Sequence, residues 1–147
     1  MRRPLSTYWV ILRVGLLLVW VRILLRFMSL PQVLGMLEPK PSPHQRDERS
    51  VEVLLYYVDR WLLLFPYNSK GNCFPRSVAL YRYARRLGFP VRLHCGVRKD
   101  GGTLNGHAWL TLDGNPFHEM SRQWQQFTVT FSYPFDHSLT AGRPLHG

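Results

Sequence analysis

The feature that most constrains this chain is a change of period partway along it. Up to Leu87, apolar residues recur every three to four positions; from Val91 onward they recur every second position. Between the two lies Gly88-Phe89-Pro90, where glycine suits the cap after a helix and proline stops it. A helical first half followed by short alternating segments predicts an α+β fold, with helices packed on a small antiparallel sheet.

In the first half, residues Tyr8 to Leu25 are almost entirely apolar, interrupted by Arg13 and Arg22 on opposite sides of a helix. A membrane span needs roughly 20 apolar residues, and each central arginine costs about 2.5–3.5 kcal/mol on insertion. No small-residue cleavage site follows, so a signal peptide is disfavoured. The segment is expected to be a helix packed on the domain or on a partner, with peripheral membrane contact as the next option. Leu30-Pro31 is expected to end it, and Glu38-Pro39-Lys40-Pro41 reads as a linker. Ser42, Pro43 and Gln45 carry the cap pattern of a new helix start. Val51, Leu54, Leu55, Val58, Trp61, Leu62 and Phe65 then give its apolar stripe, which Pro66 closes. The expected divisions are 1–38, 39–133 and a tail, 134–147.

Tyr67 to Asn72 reads as a loop, and Cys73-Phe74-Pro75-Arg76-Ser77 as the start of the next helix, running to about Leu87. Proline is tolerated there because a first-turn N–H has no helical partner. Unpaired N–H groups and the positive end of the helix dipole suit a negatively charged, nucleophilic sulfur. Beyond Pro90, Val91–Val97, Gly106–Leu112, Pro116–Met120 and Phe127–Phe131 read as strands. Arg98–Gly102 and Asp113-Gly114 read as turns. Cys95 falls among apolar alternates and is expected in the core, whereas His107, in Gly-His-Ala-Trp, is the candidate base for Cys73. Gly106 beside it would let a substrate approach.

A histidine base gains from an acid that holds its tautomer. Asp113 lies six residues along the same strand, roughly 20 Å away, and cannot reach. If Leu112-Asp113-Gly114 forms a three-residue loop, Thr111 pairs with Asn115 and His107 faces Glu119. A two-residue Asp-Gly turn would aim Glu119 at the other face. The three-residue loop is the expected one, making Glu119 the acid. The backbone N–H of Cys73 and a neighbouring loop donor are expected to hold the oxyanion, with the Asn72 side chain as a weaker candidate.

Nineteen Lys and Arg against nine Asp and Glu leave a net charge of +10, suited to nucleic acid, an anionic membrane or an acidic peptide. No basic run is interleaved with aromatics and no nucleic-acid-binding signature appears, so nucleic acid is disfavoured. Two cysteines make no disulfide framework and fit a reducing cytoplasm, or its membrane face. The Cys and His spacings match no zinc motif; neither metal nor cofactor is called for.

The runs Cys73–Leu80, Arg85–Leu93, Gly96–Arg98 and Gly106–Leu110 resemble the transglutaminase-like cysteine peptidases of lasso-peptide biosynthesis, the microcin-processing type. The likeness extends from about Trp61 to Met120. It implies a papain- or transglutaminase-like fold and a protease that removes the leader of a ribosomal precursor so that a cyclase can close the ring. Cys73 and His107 match residue for residue, while Glu119 stands where the family usually has Asp. With helical sequence ahead of Cys73, the resemblance implies a standalone peptidase whose leader-recognition partner is a separate protein. Amide transfer to an amine would use the same acyl-enzyme. A basic membrane-associated scaffold with a structural Cys/His pair is the non-enzymatic alternative.

Overall fold

The computed structural model describes residues 4–40, 46–64, 72–119 and 122–134. Four helices come first: α1 (Pro4–Phe27), α2 (Leu30–Leu37), α3 (Glu48–Leu64) and α4 (Cys73–Arg86). Four strands follow, β1 (Arg92–Asp100), β2 (Thr103–Leu112), β3 (Asn115–Pro116) and β4 (Thr128–Tyr133), with a 3-10 turn at Arg122–Gln126. The sheet is antiparallel in the order β3-β2-β1-β4. The fold is α+β, as the change of period predicts.

The helix boundaries differ from expectation in two places. Leu30-Pro31 begins α2 as well as following α1. Gln32 Oε1 accepts from the backbone N–H of Ser29 at 3.1 Å and from its hydroxyl at 3.0 Å, and proline sits harmlessly in the first turn. Helix α3 starts at Glu48, where Asp47 Oδ1 accepts from the Ser50 N–H at 3.2 Å. The Ser50 hydroxyl, which also donates to this carboxylate, and then that backbone bond hold the Asp47 carboxyl below its ordinary pKa. Residues 46 and 47 are not helical, so the helix does not run from Pro43; Ser42–Gln45 lie outside the described residues. So do Phe65 and Pro66, the expected loop residues Tyr67 to Gly71, Met120 and the tail beyond 134.

The expected close of α4 is observed. Gly88, at φ 88°, carries the chain out of the helix, Phe89 N–H reaches Ala84 O at 2.9 Å and Gly88 N–H reaches Arg85 O at 3.1 Å. Val78, Leu80, Tyr81 and Ala84 of α4 then pack with Leu93, Cys95, Ala108 and Leu110 from one sheet face, and with Val33 and Leu34 of α2. Burying each large apolar side chain contributes about 1.5–3 kcal/mol. Helix α1 shares this core through Val21 and Leu24, and meets α3 and α4 in a second cluster around Val14, Leu18, Val58 and Ala79. At the α1–α3 crossing a Cβ on Gly15 would lie 2.6 Å from the Trp61 ring, whose Nε1 donates to Ile11 O at 2.9 Å. The apolar N-terminal helix is thus packed on the domain. Among the described residues no helix is long and apolar enough to cross a membrane.

Two arginines of α4 make contacts inside the fold. Arg82 donates to Leu37 O at 2.9 Å, satisfying the end of α2, and Arg85 pairs with Glu38 at 2.8 Å. Tyr81 donates to the same carboxylate at 2.7 Å, so the chain after α2 is tied down at three points.

Candidate active site

Cys73 is the first residue of α4. Asn72 makes no side-chain cap, Pro75 has no N–H, and the Arg76 N–H is taken by Asn72 O at 3.1 Å. Among the described residues the helical ladder therefore leaves the N–H groups of Cys73 and Phe74 as first-turn donors next to the nucleophile. The Asn72 amide, weighed as an oxyanion donor, is engaged elsewhere: Oδ1 accepts from Arg22 at 3.3 Å and Nδ2 donates to Leu62 O at 3.5 Å.

His107 sits on β2 opposite Gly96 of β1. A hydrogen bond with Cys73 and one with Glu119 raise its pKa from 6.5 to about 9, against the opposing effect of partial burial. The Glu119 contact is Nε2 to Oε1 at 3.3 Å, and the carboxylate is largely buried. With Nε2 facing the acid, Nδ1 is the nitrogen left for the thiol. Cys73, His107 and Glu119 are thus brought together, while Asp113 is held in the turn at φ 53°. Cys95 is buried, which pushes its thiol up to about 12, with the neighbouring Cys73 adding to the shift.

Glu119 arrives by a route other than the expected one. Asp113-Gly114 forms a two-residue turn with φ 53° and 82°, so Leu112 pairs with Asn115 and Thr111 with Pro116. This corrects the expected three-residue loop; left-handed Asp-Gly is the favoured two-residue hairpin pair. A strand continued in that register would turn Glu119 away from His107. Instead β3 ends at Pro116, short of the expected Met120, and the chain bends at His118, φ 49°. Arg76 fixes the bend by donating to His118 O at 3.3 Å, and it is itself held by Asp59 of α3 at 2.8 Å.

Arg76 and Ser77 are the contributors that the reading of the sequence passed over. They lie three and four residues after Cys73, on the same side of the helix. The buried Ser77 hydroxyl donates to Ala108 O at 3.0 Å, tying the nucleophile's helix to the residue after the base. The spacing from Cys73 is the one sequence signal that could have identified them.

Beneath His107 lies an aromatic floor. The Trp109 ring stacks with it at 5.8 Å and 16°, Phe127 lies 5.2 Å away, and Trp124 approaches Trp109 at 6.2 Å. Gly96 makes this possible: a Cβ there would fall 2.9 Å from both Thr128 O and the Trp109 ring, at a bulge in the β1–β4 pairing. His94 bridges Ser132 and Thr111 at 2.7 Å each and packs on Trp109, with burial holding its pKa low; it is a structural histidine. Gly106 is exposed beside His107, and a methyl there would make only ordinary contact, at 3.9 Å, with Gly96 O and the Phe74 ring.

Ala108 O and Leu110 O accept from Ser77 and from the Phe117 N–H, so the even-numbered residues of β2 direct their backbone groups away from β1. Among the described residues β3 pairs only with Thr111 and Leu112. The exposed backbone of Leu104 and Gly106 therefore forms an open edge next to His107. Also among the described residues, no group of three or more His, Cys, Asp or Glu is placed to hold a metal ion.

Comparison with known proteins agrees with this geometry. A family model described as the transglutaminase-like superfamily matches residues 14–132. Neither a curated protein nor a solved structure matches the chain.

Proposed function

The chain belongs to the transglutaminase-like superfamily, and from that premise we propose that it is a cysteine endopeptidase that removes the leader from a ribosomally made lasso-peptide precursor. The observation that carries the peptidase reading is the alignment of Cys73, His107 and Glu119, with the histidine pKa raised by both neighbours. The lasso-peptide assignment rests on the resemblance of the sequence runs around Cys73 and His107.

With the thiol proton already on His107, whose pKa is raised to about 9, the sulfur of Cys73 attacks the scissile carbonyl at the leader–core junction. Glu119 holds the resulting imidazolium. The oxyanion is received by the N–H groups of Cys73 and Phe74, each contributing roughly 3 kcal/mol to the transition state. Collapse breaks the C–N bond, His107 protonates the departing amine, and a thioester remains. Water then attacks the thioester, giving its proton to His107, and the carboxylate product leaves as the thiol re-forms. The open edge at Leu104 and Gly106 suits a substrate held as an added strand, which needs no particular side chains. A separate leader-recognition protein would supply the choice of precursor, with the lasso cyclase as the next enzyme in line.

The test is precursor cleavage in the presence of that recognition protein, followed by mass spectrometry. Release of free leader and core by the wild type, and none by Cys73→Ala, is the expected result. Full cleavage by Cys73→Ala would sink the mechanism. The superfamily also contains acyltransferases, so a product carrying an added amine in place of water would assign transfer.

A further inference from the structure

Helix α1 has two apolar faces, and among the described residues only one of them packs on the fold. Val14, Leu18, Val21 and Leu24 are buried against the domain. Opposite them, Trp9, Leu12, Leu16, Trp20, Ile23 and Phe27 are exposed, Trp9 at 63%, Leu16 at 60% and Phe27 at 79%. At 100° per residue these six fall within an arc of about 80°, in a stripe about 27 Å long. The exposed residues Arg13 and Arg26 lie just beyond the two borders of that arc. No acidic residue occurs anywhere in α1, and the whole chain carries +10. Arg22, the third cation of the helix, points elsewhere and bonds Asn72.

We propose that this face of α1 docks in the plane of an anionic bilayer surface. The charge pattern selects lipid as the occupant. An apolar stripe edged on both sides by arginine, with tryptophan at two levels and no acid, matches a helix lying at the headgroup boundary. The arginine stems lie along the acyl surface while the guanidinium groups reach lipid phosphates. The helix lies flat, because its other face is committed to the core of the domain and it cannot span. Docking involves none of the groups of the cysteine site, so it stands or falls apart from the peptidase reading.

Sedimentation of the full chain with vesicles tests it. Binding is expected to phosphatidylcholine vesicles containing phosphatidylglycerol, weakening as salt rises, and only weakly to pure phosphatidylcholine. Leu16→Glu with Ile23→Glu should abolish sedimentation, with helicity and thermal melting confirming the fold. Should that pair misfold, Arg13→Gln with Arg26→Gln, both on exposed positions, still reads the proposal: about five-fold weaker binding per arginine removed, on anionic vesicles alone. Cys73→Ala should sediment like wild type. Wild-type protein that ignores anionic vesicles, or binds them no better than the folded Glu variant, overturns the proposal. So does a lipid-free dimer that the Glu variant dissociates, which would assign the face to a second copy of the chain.

Discussion

His107 is approached from two sides, and the two sides are built differently. On the cysteine side, a helix closed at its C-terminal end meets a long hairpin, and the join is a buried Ser77–Ala108 hydrogen bond. On the acid side, a two-residue strand gives way to a left-handed bend at His118, held from outside by Arg76. Regular elements deliver the nucleophile and the base; one arginine delivers the acid. The cysteine side should therefore fail only when its own atoms are removed, whereas the acid side should fail by loosening.

The largest effects belong to the cysteine side. Cys73→Ala or His107→Ala should each reduce leader release about 10⁴-fold or more. Cys95→Ala should leave turnover in place and cost about 1 kcal/mol of stability by denaturant unfolding. Iodoacetamide near neutral pH should label Cys73 ahead of Cys95, whose thiol is pushed up to about 12. Equal, slow labelling of both would favour a scaffold protein over an enzyme.

On the acid side, Glu119→Gln should lower turnover about 10²-fold. The same substitution should move the His107 titration, followed by NMR, down from about 9 toward 6.5. Because the folded pKa is raised, the stability contributed by protonated His107 is fully present below about pH 6.5. It is lost as pH rises through about 9. Melting temperature should fall across that window in the wild type and more gently in Glu119→Gln. Arg76→Met, which leaves every reacting group in place, should cost turnover about 10-fold and lower the His107 pKa as well. A reduced turnover with the His107 titration unmoved would show that Arg76 does not act through Glu119.

The smallest catalytic effect is expected at Ser77. Ser77→Ala leaves Ala108 O without its partner and should cost about 1–3 kcal/mol in unfolding experiments. Turnover should change by only a few-fold, since packing still holds α4 against β2.

The same contrast explains what could be read in the sequence. The helix from Cys73 and the strand holding His107 follow from local rules: a proline in the first turn, a glycine after the last, alternation on the sheet. The register count that sets Glu119 opposite His107 needs a three-residue turn, and the observed turn is one residue shorter. Its position depends on the left-handed His118 and on Arg76, residues with no local pattern that announces a long-range bond. The start of α2 is legible in Ser29 and Gln32, which carry a cap signature, whereas Pro31 taken alone reads as a stop. Gly96 could not be read at all, because what it admits are rings from other strands and turns.

The ring stacked against His107 also gives the site an optical property. An indole lying nearly parallel to an imidazole at 5.8 Å is a fluorophore beside a group that quenches better when protonated. Trp109 emission should therefore be dim while His107 carries its proton and brighten as the proton leaves. The charge of the base can be followed without a label, in a chain where only one tryptophan stacks on this histidine among the described residues.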